Sequence, residues 1–208
     1  MSSVLIARYN PVMRDEIDLI VEQWQAERPD LDVSATHVLQ RIARLYLLQS
    51  SSFAGVFTRF GLTFGEYEVL ATLRRSGPPY RLNPTRLFSS IVLSSGAMTN
   101  RVDRLEAAGL VERLPDPDDR RGRLVSLTER GRAVVDEAVV AHVRNEEHLL
   151  SGMDPADREH LAELLRRLLT SEPFASMDPA RVSQPHETAD AEGSRAARRP
   201  RRSTRRPI

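Results

Sequence analysis

Between Leu93 and Gly131 the chain reads LSSGAMTNRVDRLEAAGLVERLPDPDDRRGRLVSLTERG. Its first part gathers hydrogen-bond donors on a helical pattern: Ser95, Thr99, Asn100, Arg101 and Arg104 stand among Met98, Val102 and Leu105, which recur at the spacing of an inward face. An α-helix fits the major groove of duplex DNA, and residues near the N-terminal end of such a helix reach base edges. Ser95, Gly96 and Ala97 are small enough for close approach, and the polar set donates to bases or phosphates. Further on, Asp119 precedes Arg120, Arg121 and Arg123 at a hairpin tip, where guanidinium groups suit the strongly negative minor groove. Helix and hairpin together would hold adjacent grooves of one duplex. A solvated helix followed by a charged turn is the plainer alternative.

Several elements must position these residues. Asn10 and Pro11 predict a cap and first helical residue, with Met13, Ile17, Ile20, Val21 and Trp24 on an amphipathic helix over about 11–26. After the connector RPDLDVS, Ser34 is expected to cap a second helix that carries Val38, Ile42, Leu45, Tyr46, Phe53 and Phe57 and ends near Gly61. Thr63 and Glu66 form a capping box for a third helix, Phe64 to about Arg75. Asn83 and Pro84 start a fourth, and Ser94 or Ser95 caps a fifth, which Gly109 stops near Ala108. Two helices so joined read as a helix-turn-helix.

LVERL and RLVSL then flank the charged tip PDPDDRRG as a hairpin. Thr128 caps a long helix, and Asp154 with Pro155 starts a last one whose face of Leu161, Leu164, Leu165, Leu168 and Leu169 needs a partner. The fold class is mainly α with a small β-hairpin wing: a winged helix-turn-helix lobe plus a helical dimerisation region. The expected divisions are 1–33 (extra helix and connector), 34–61 (dimerisation and linker helix), 62–128 (DNA-binding lobe), 129–174 (C-terminal dimerisation helices) and 175–208. That last segment, polar and rich in arginine, is expected to be disordered.

Composition narrows the function classes. The 208 residues contain no cysteine, which excludes disulfides, thiolate metal sites and thiol redox switches. All 30 basic residues are arginine. Ala175 to Ile208 holds eight arginines against Asp178, Glu187, Asp190 and Glu192, a net of +4, which leaves about −3 for the rest of a chain whose formal charge is +1. Basic surface on the folded part is therefore local. The N-terminal stretch has four apolar residues in a row before Arg8, too few for a secretion signal or membrane span, so a cytoplasmic location is expected.

The order helix-turn-helix, hairpin, long helix, leucine-faced helix resembles the MarR family of bacterial transcription regulators over roughly Ser34 to Leu169. The characteristic pieces are LSSGAMTNRVDRLEAAGLVER, the DRR of Asp119 to Arg121, and the LTERG of Leu127 to Gly131. The resemblance implies a homodimer that presents two lobes to successive major grooves of a pseudo-palindromic operator, usually as a repressor. It also implies that Arg121 enters the minor groove and Asp119 braces the wing. Asp118 stands where many relatives carry arginine.

The extra N-terminal helix is similar to that of a urate-responsive subfamily. That likeness implies a site for a small anionic or aromatic effector made by Trp24, Glu68, Arg101 and Arg113, with Arg41, Arg44, Tyr46 and Tyr67 nearby. Glu68 replaces the usual aspartate. An aromatic plane stacks on a flat ligand, arginines bind anionic oxygens in pairs, and a carboxylate holds an arginine until the ligand competes for it. Trp24 as core packing, or Glu68 with Arg113 as an ordinary ion pair, are the alternatives. No cofactor or metal site is expected: His142 and His148 are six apart on one helix and so lie on different faces. Glu66 and Glu68, two apart, do not form a catalytic pair, and the chain carries no nucleophile-base motif or phosphate loop, so it does not read as an enzyme. The rival to a specific regulator is an architectural winged-helix protein that binds DNA with little sequence preference.

Overall fold

Capping residues set most of the element boundaries. The computed structural model describes residues 14–91 and 98–177, and the chain divides into two compact units, Met1–Val56 and Phe57–Ile208. The expected cap at Asn10, those at Ser94 or Ser95, and the arginine-rich tail after Met177 lie outside the described residues.

In the first unit, α1 spans Glu16–Glu27. Asp15 accepts the amides of Ile17 (2.8 Å) and Asp18 (3.3 Å), while Asp18 accepts the amide of Asp15 at 2.9 Å. This reciprocal box satisfies donors that a helix start leaves open, so α1 begins at Glu16, within the expected span of about 11–26. Ile17 and Val21 are buried, and Leu19 and Trp24 are exposed. Helix α2, Thr36–Thr58, starts two residues after Ser34. The Arg41 guanidinium joins it to α1, donating to both carboxylate oxygens of Asp15 at 2.9 Å and to Asp18 at 2.7 Å. Arg44 lies 3.4 Å from Glu16.

The second unit holds α3 (Phe64–Arg75), β1 (Arg81–Leu82), α4 (Pro84–Ser89), α5 (Met98–Ala107), β2 (Val111–Pro115), β3 (Arg123–Leu127), α6 (Glu129–Leu149) and α7 (Pro155–Thr170), then one turn of 3-10 helix at Phe174–Ser176. Thr63, Asn83, Thr128 and Asp154 cap α3, α4, α6 and α7 as their positions predict, each accepting an amide of the first turn. The sheet is antiparallel in the order β1-β3-β2, with Arg81 opposite Ser126, Leu82 opposite Val125 and Arg113 opposite Val125 on the other side. Strand β1 is not anticipated. Two residues are too short to show alternation, and what seats them is Tyr80, whose carbonyl accepts the Leu127 amide at 3.0 Å with its own φ at 58°.

The core of this unit forms where α3 meets α5 and α6. Leu70, Leu73, Leu87, Val102, Leu105, Val125, Val135 and Ala138 are buried, and the Phe57 ring stacks on Tyr67 at 4.1 Å. His142 of α6 packs against both rings, at 5.4 and 5.2 Å. Burial pushes the Tyr67 phenol up to about 12, with Glu68 and Glu146 adding to the rise. Helix α7 has no buried residue: Leu161, Leu164, Leu165 and Leu169 are exposed, as are Val139, Val140 and Val143 of α6.

Candidate nucleic-acid interface

Helix α5 turns the face that its spacing predicts toward the core. Met98, Val102 and Leu105 are buried, which leaves Thr99 and Asn100 exposed on the opposite side and Arg101 half-buried. Ser95 lies outside the described residues.

Carboxylates on both flanks hold this helix. Arg104 donates from Nε to Glu66 at 2.7 Å. The other Glu66 oxygen accepts the amide and hydroxyl of Thr63, at 2.7 and 2.8 Å. Burial alone would lift the Glu66 carboxyl, but the Thr63 donors and then the Arg104 guanidinium outweigh it and hold the group below its ordinary value. Arg104 thus fastens α5 to the N-terminal cap of α3 and still exposes 59% of its side chain, enough to face a duplex as well. On the other flank, Arg113 of β2 pairs with Asp103 and Glu106 of α5, and its amide donates to Glu106 at 3.2 Å.

The junction of α5, β2 and α6 explains the LTERG piece. The chain turns at Gly109, whose φ of 66° favours glycine. Thr128 donates its hydroxyl to the Gly109 carbonyl at 2.9 Å and its amide to the Leu110 carbonyl at 3.2 Å, while Arg130 reaches the Ala108 carbonyl at 2.9 Å. At Gly131 a Cβ would stand 1.9 Å from the Leu110 carbonyl oxygen, so only glycine lets α6 start against that peptide.

At the hairpin tip Asp116 accepts the Asp118 amide at 3.0 Å and Asp119 accepts the Arg121 amide at 2.9 Å, two Asx turns in succession. A Cβ at Gly122 would stand 3.0 Å from those of Asp116 and Asp119, so the loop closes tightly. Arg120, Arg121 and Arg123 project from it, all exposed.

The four expected effector residues are placed as follows. Trp24 stands on α1, 51% exposed. Arg101 lies over Gly65 in the first turn of α3, where a Cβ would come within 2.5 Å of its Nε. Glu68 sits three residues further along α3. Burial raises the Glu68 carboxyl above its ordinary value, against the pull of Arg75 and His142. Arg113 is engaged by Asp103 and Glu106, so the ion pair between Glu68 and Arg113 is not the one that forms. Arg41 is bound by Asp15 and Asp18.

Sequence reasoning missed two things. Glu66 is read from the capping box alone, although the same carboxylate holds Arg104, and the box gives no sign of a partner 38 residues away. Gly65 and Gly131 clear space for other groups, and only the second sits in a motif that marks it. Among the described residues there is no group of three metal-ligating side chains, and no helix is long and apolar enough to cross a membrane.

A helix-turn-helix closed by a three-stranded sheet, with an arginine-tipped hairpin beside it, is a winged helix-turn-helix. Residues 62–122 match the sequence model of the MarR family. The transcriptional regulator PecS of Dickeya dadantii is 39% identical over 153 residues, 74% of this chain and 92% of that protein. The chain belongs to the MarR family and is a DNA-binding transcription regulator, not an enzyme. Among solved structures, that of Bordetella bronchiseptica BpsR, described as regulated in its DNA binding by 6-hydroxynicotinic acid, is 26% identical with a TM-score of 0.60, covering 68% of this chain and 99% of that one. A mutant of Escherichia coli MarR complexed with operator DNA is 25% identical with a TM-score of 0.57, covering 67% and 99%.

Proposed function

We propose that the chain is a homodimeric cytoplasmic repressor, released from a pseudo-palindromic operator by a small anionic or aromatic ligand. The observation that carries the DNA-binding part is the fixed pairing of exposed Thr99 and Asn100 on α5 with the exposed arginines of the hairpin, in one lobe closed by ion pairs and a sheet. Residues 62–128 act as the lobe, with Asp119 bracing the wing and Arg121 entering the minor groove. Segments 34–61 and 129–174 join two copies, and the exposed leucines of α7 support this. A two-fold dimer then meets half-sites about 10 bp apart.

The effector site uses Trp24, Glu68, Arg101 and Arg113. Its support is the position of Arg101 over the first turn of α3, the half-buried carboxyl of Glu68 further along that helix, and the regulated Bordetella relative. An anion that takes Arg101 or Arg113 from its present neighbours binds the DNA-incompetent state better and shifts the population toward it.

A mobility-shift titration on the chain's own upstream DNA against random duplex, with and without urate, xanthine and aconitate, tests both parts. Specific binding released by one anion is the expected result. Specific binding that none of them disturbs removes this ligand class, and equal binding to random duplex favours the architectural alternative.

A further inference from the structure

Several arginines of the DNA-binding lobe are already spoken for: Arg74 pairs with Asp136, Arg104 with Glu66, and Arg113 with Asp103 and Glu106. Arg81 and Arg86 differ. Both are exposed, and among the described residues neither makes an ion pair. They line a hollow of about 260 Å³ together with Asn83, Asp116, Asp118 and Leu124. Its place follows from the sheet. Strand β1 runs antiparallel to β3, from Arg81 opposite Ser126 to Leu82 opposite Val125, so its end and the start of α4 lie beside the tip end of β3. Asn83 caps α4 by accepting the Arg86 amide at 2.8 Å, which sets Arg86 in the first turn on the hairpin side.

We propose that Arg81 and Arg86 seat a backbone phosphate of the bound duplex in this hollow, on the strand that passes between the major groove met by α5 and the minor groove met by the hairpin. The inference rests on the DNA-binding reading above and adds a contact to it. In a helix-turn-helix the first helix crosses the sugar-phosphate backbone, and α4 is that helix here. Unpaired guanidinium groups beside a concave surface suit a phosphate, whose oxygens accept paired N–H donors. Asp116 accepts the Asp118 amide but keeps its charge, so the Asp116 and Asp118 carboxylates on the far wall both oppose the phosphate. Their repulsion limits how deeply the backbone settles, and Asp118→Asn relieves part of it.

The test is the salt dependence of binding by the full chain, on operator and on random duplex, for the wild type and for Arg81→Gln, Arg86→Gln and Asp118→Asn. Each phosphate contact contributes about 0.9 to the slope of log K against log salt. A complex with two lobes seats two such phosphates, together worth about 1.8, so each arginine variant, which leaves the other arginine in place, is expected to be shallower by about half of that, equally on both duplexes. Asp118→Asn is expected to bind both duplexes more tightly. Unchanged slopes in both arginine variants overturn the proposal, as does weakening confined to the operator at constant slope, which would mean base reading. Weaker binding by Asp118→Asn also counts against it. A wild type with no preference for the operator would sink the repressor reading while the slopes on random duplex still decide the role of the arginines. Unchanged melting temperatures confirm that the variants fold.

Discussion

Gly131→Ala provides the sharpest test of how the recognition helix is held. A Cβ at this position would lie 1.9 Å from the Leu110 carbonyl oxygen and 2.8 Å from its carbon, so helix α6 and the Leu110 peptide must separate by about 1 Å before the contact reaches the shortest distance real Cβ atoms show. Overpacking of this kind costs about 1–3 kcal/mol. The same displacement weakens the bond from the Thr128 amide to the Leu110 carbonyl, at 3.2 Å, by about 1 kcal/mol. Alanine returns about 1 kcal/mol through its helix propensity. The net loss is about 2 kcal/mol, which for a chain of this size lowers the melting temperature by about 4–8 °C. The assay is thermal unfolding followed by far-ultraviolet circular dichroism, with Gly55→Ala in parallel. Gly55 lies inside α2 with nothing within 4 Å of a built Cβ, so alanine there is expected to stabilise by up to about 1 kcal/mol. A Gly131→Ala variant that melts within about 2 °C of the wild type, or two variants that behave alike, would refute the reasoning.

Three further outcomes are expected. Glu66→Gln destabilises at neutral pH by about 1–2 kcal/mol through its weakened bonds to Arg104 and Thr63. Because the folded carboxyl titrates below its ordinary 4.5, its contribution is present above that value and lost as the pH falls through the lower folded one; urea midpoints between pH 3 and 7 should show a flatter acid limb in the variant. Glu68→Gln has the opposite sign. Its folded carboxyl titrates above 4.5, so its contribution is present below that value and lost as the pH rises; the variant should equal the wild type near pH 4 and exceed it at pH 7, and a variant less stable at pH 7 would refute the assignment. Asn100→Ala, at an exposed position on α5, should reduce the preference for operator over random duplex with little change in melting temperature, read by competition binding.

The capping signals were legible because they are local. Thr63 with Glu66, Asn83 with Pro84, Thr128, and Asp154 with Pro155 each complete their chemistry within four residues, and each starts the helix it marks. Asp15 and Asp18, which start α1, carry a signal of the same local kind. The interior face of α5 was legible from spacing, but its flanking ion pairs were not. Arg104 and Arg113 read as ligands for DNA or effector, and nothing local reveals that Glu66, Asp103 and Glu106 engage them first. Strand β1 is specified by the edge of β3 that it meets, a partner more than forty residues away, and not by any pattern of its own.

The sheet order carries a mechanical consequence. Strands β1 and β2 stand on either side of β3, and the segment between them contains both α4 and α5, so the helix-turn-helix is a loop whose two ends are fastened to the same strand. Moving α5 alone therefore costs the ion pairs that Arg113 and Glu66 make with it. Control over DNA then becomes a matter of gauge. A duplex offers its successive major grooves about 34–36 Å apart, and in the proposed dimer an effector would act by changing the separation of two such lobes until they no longer span that pitch.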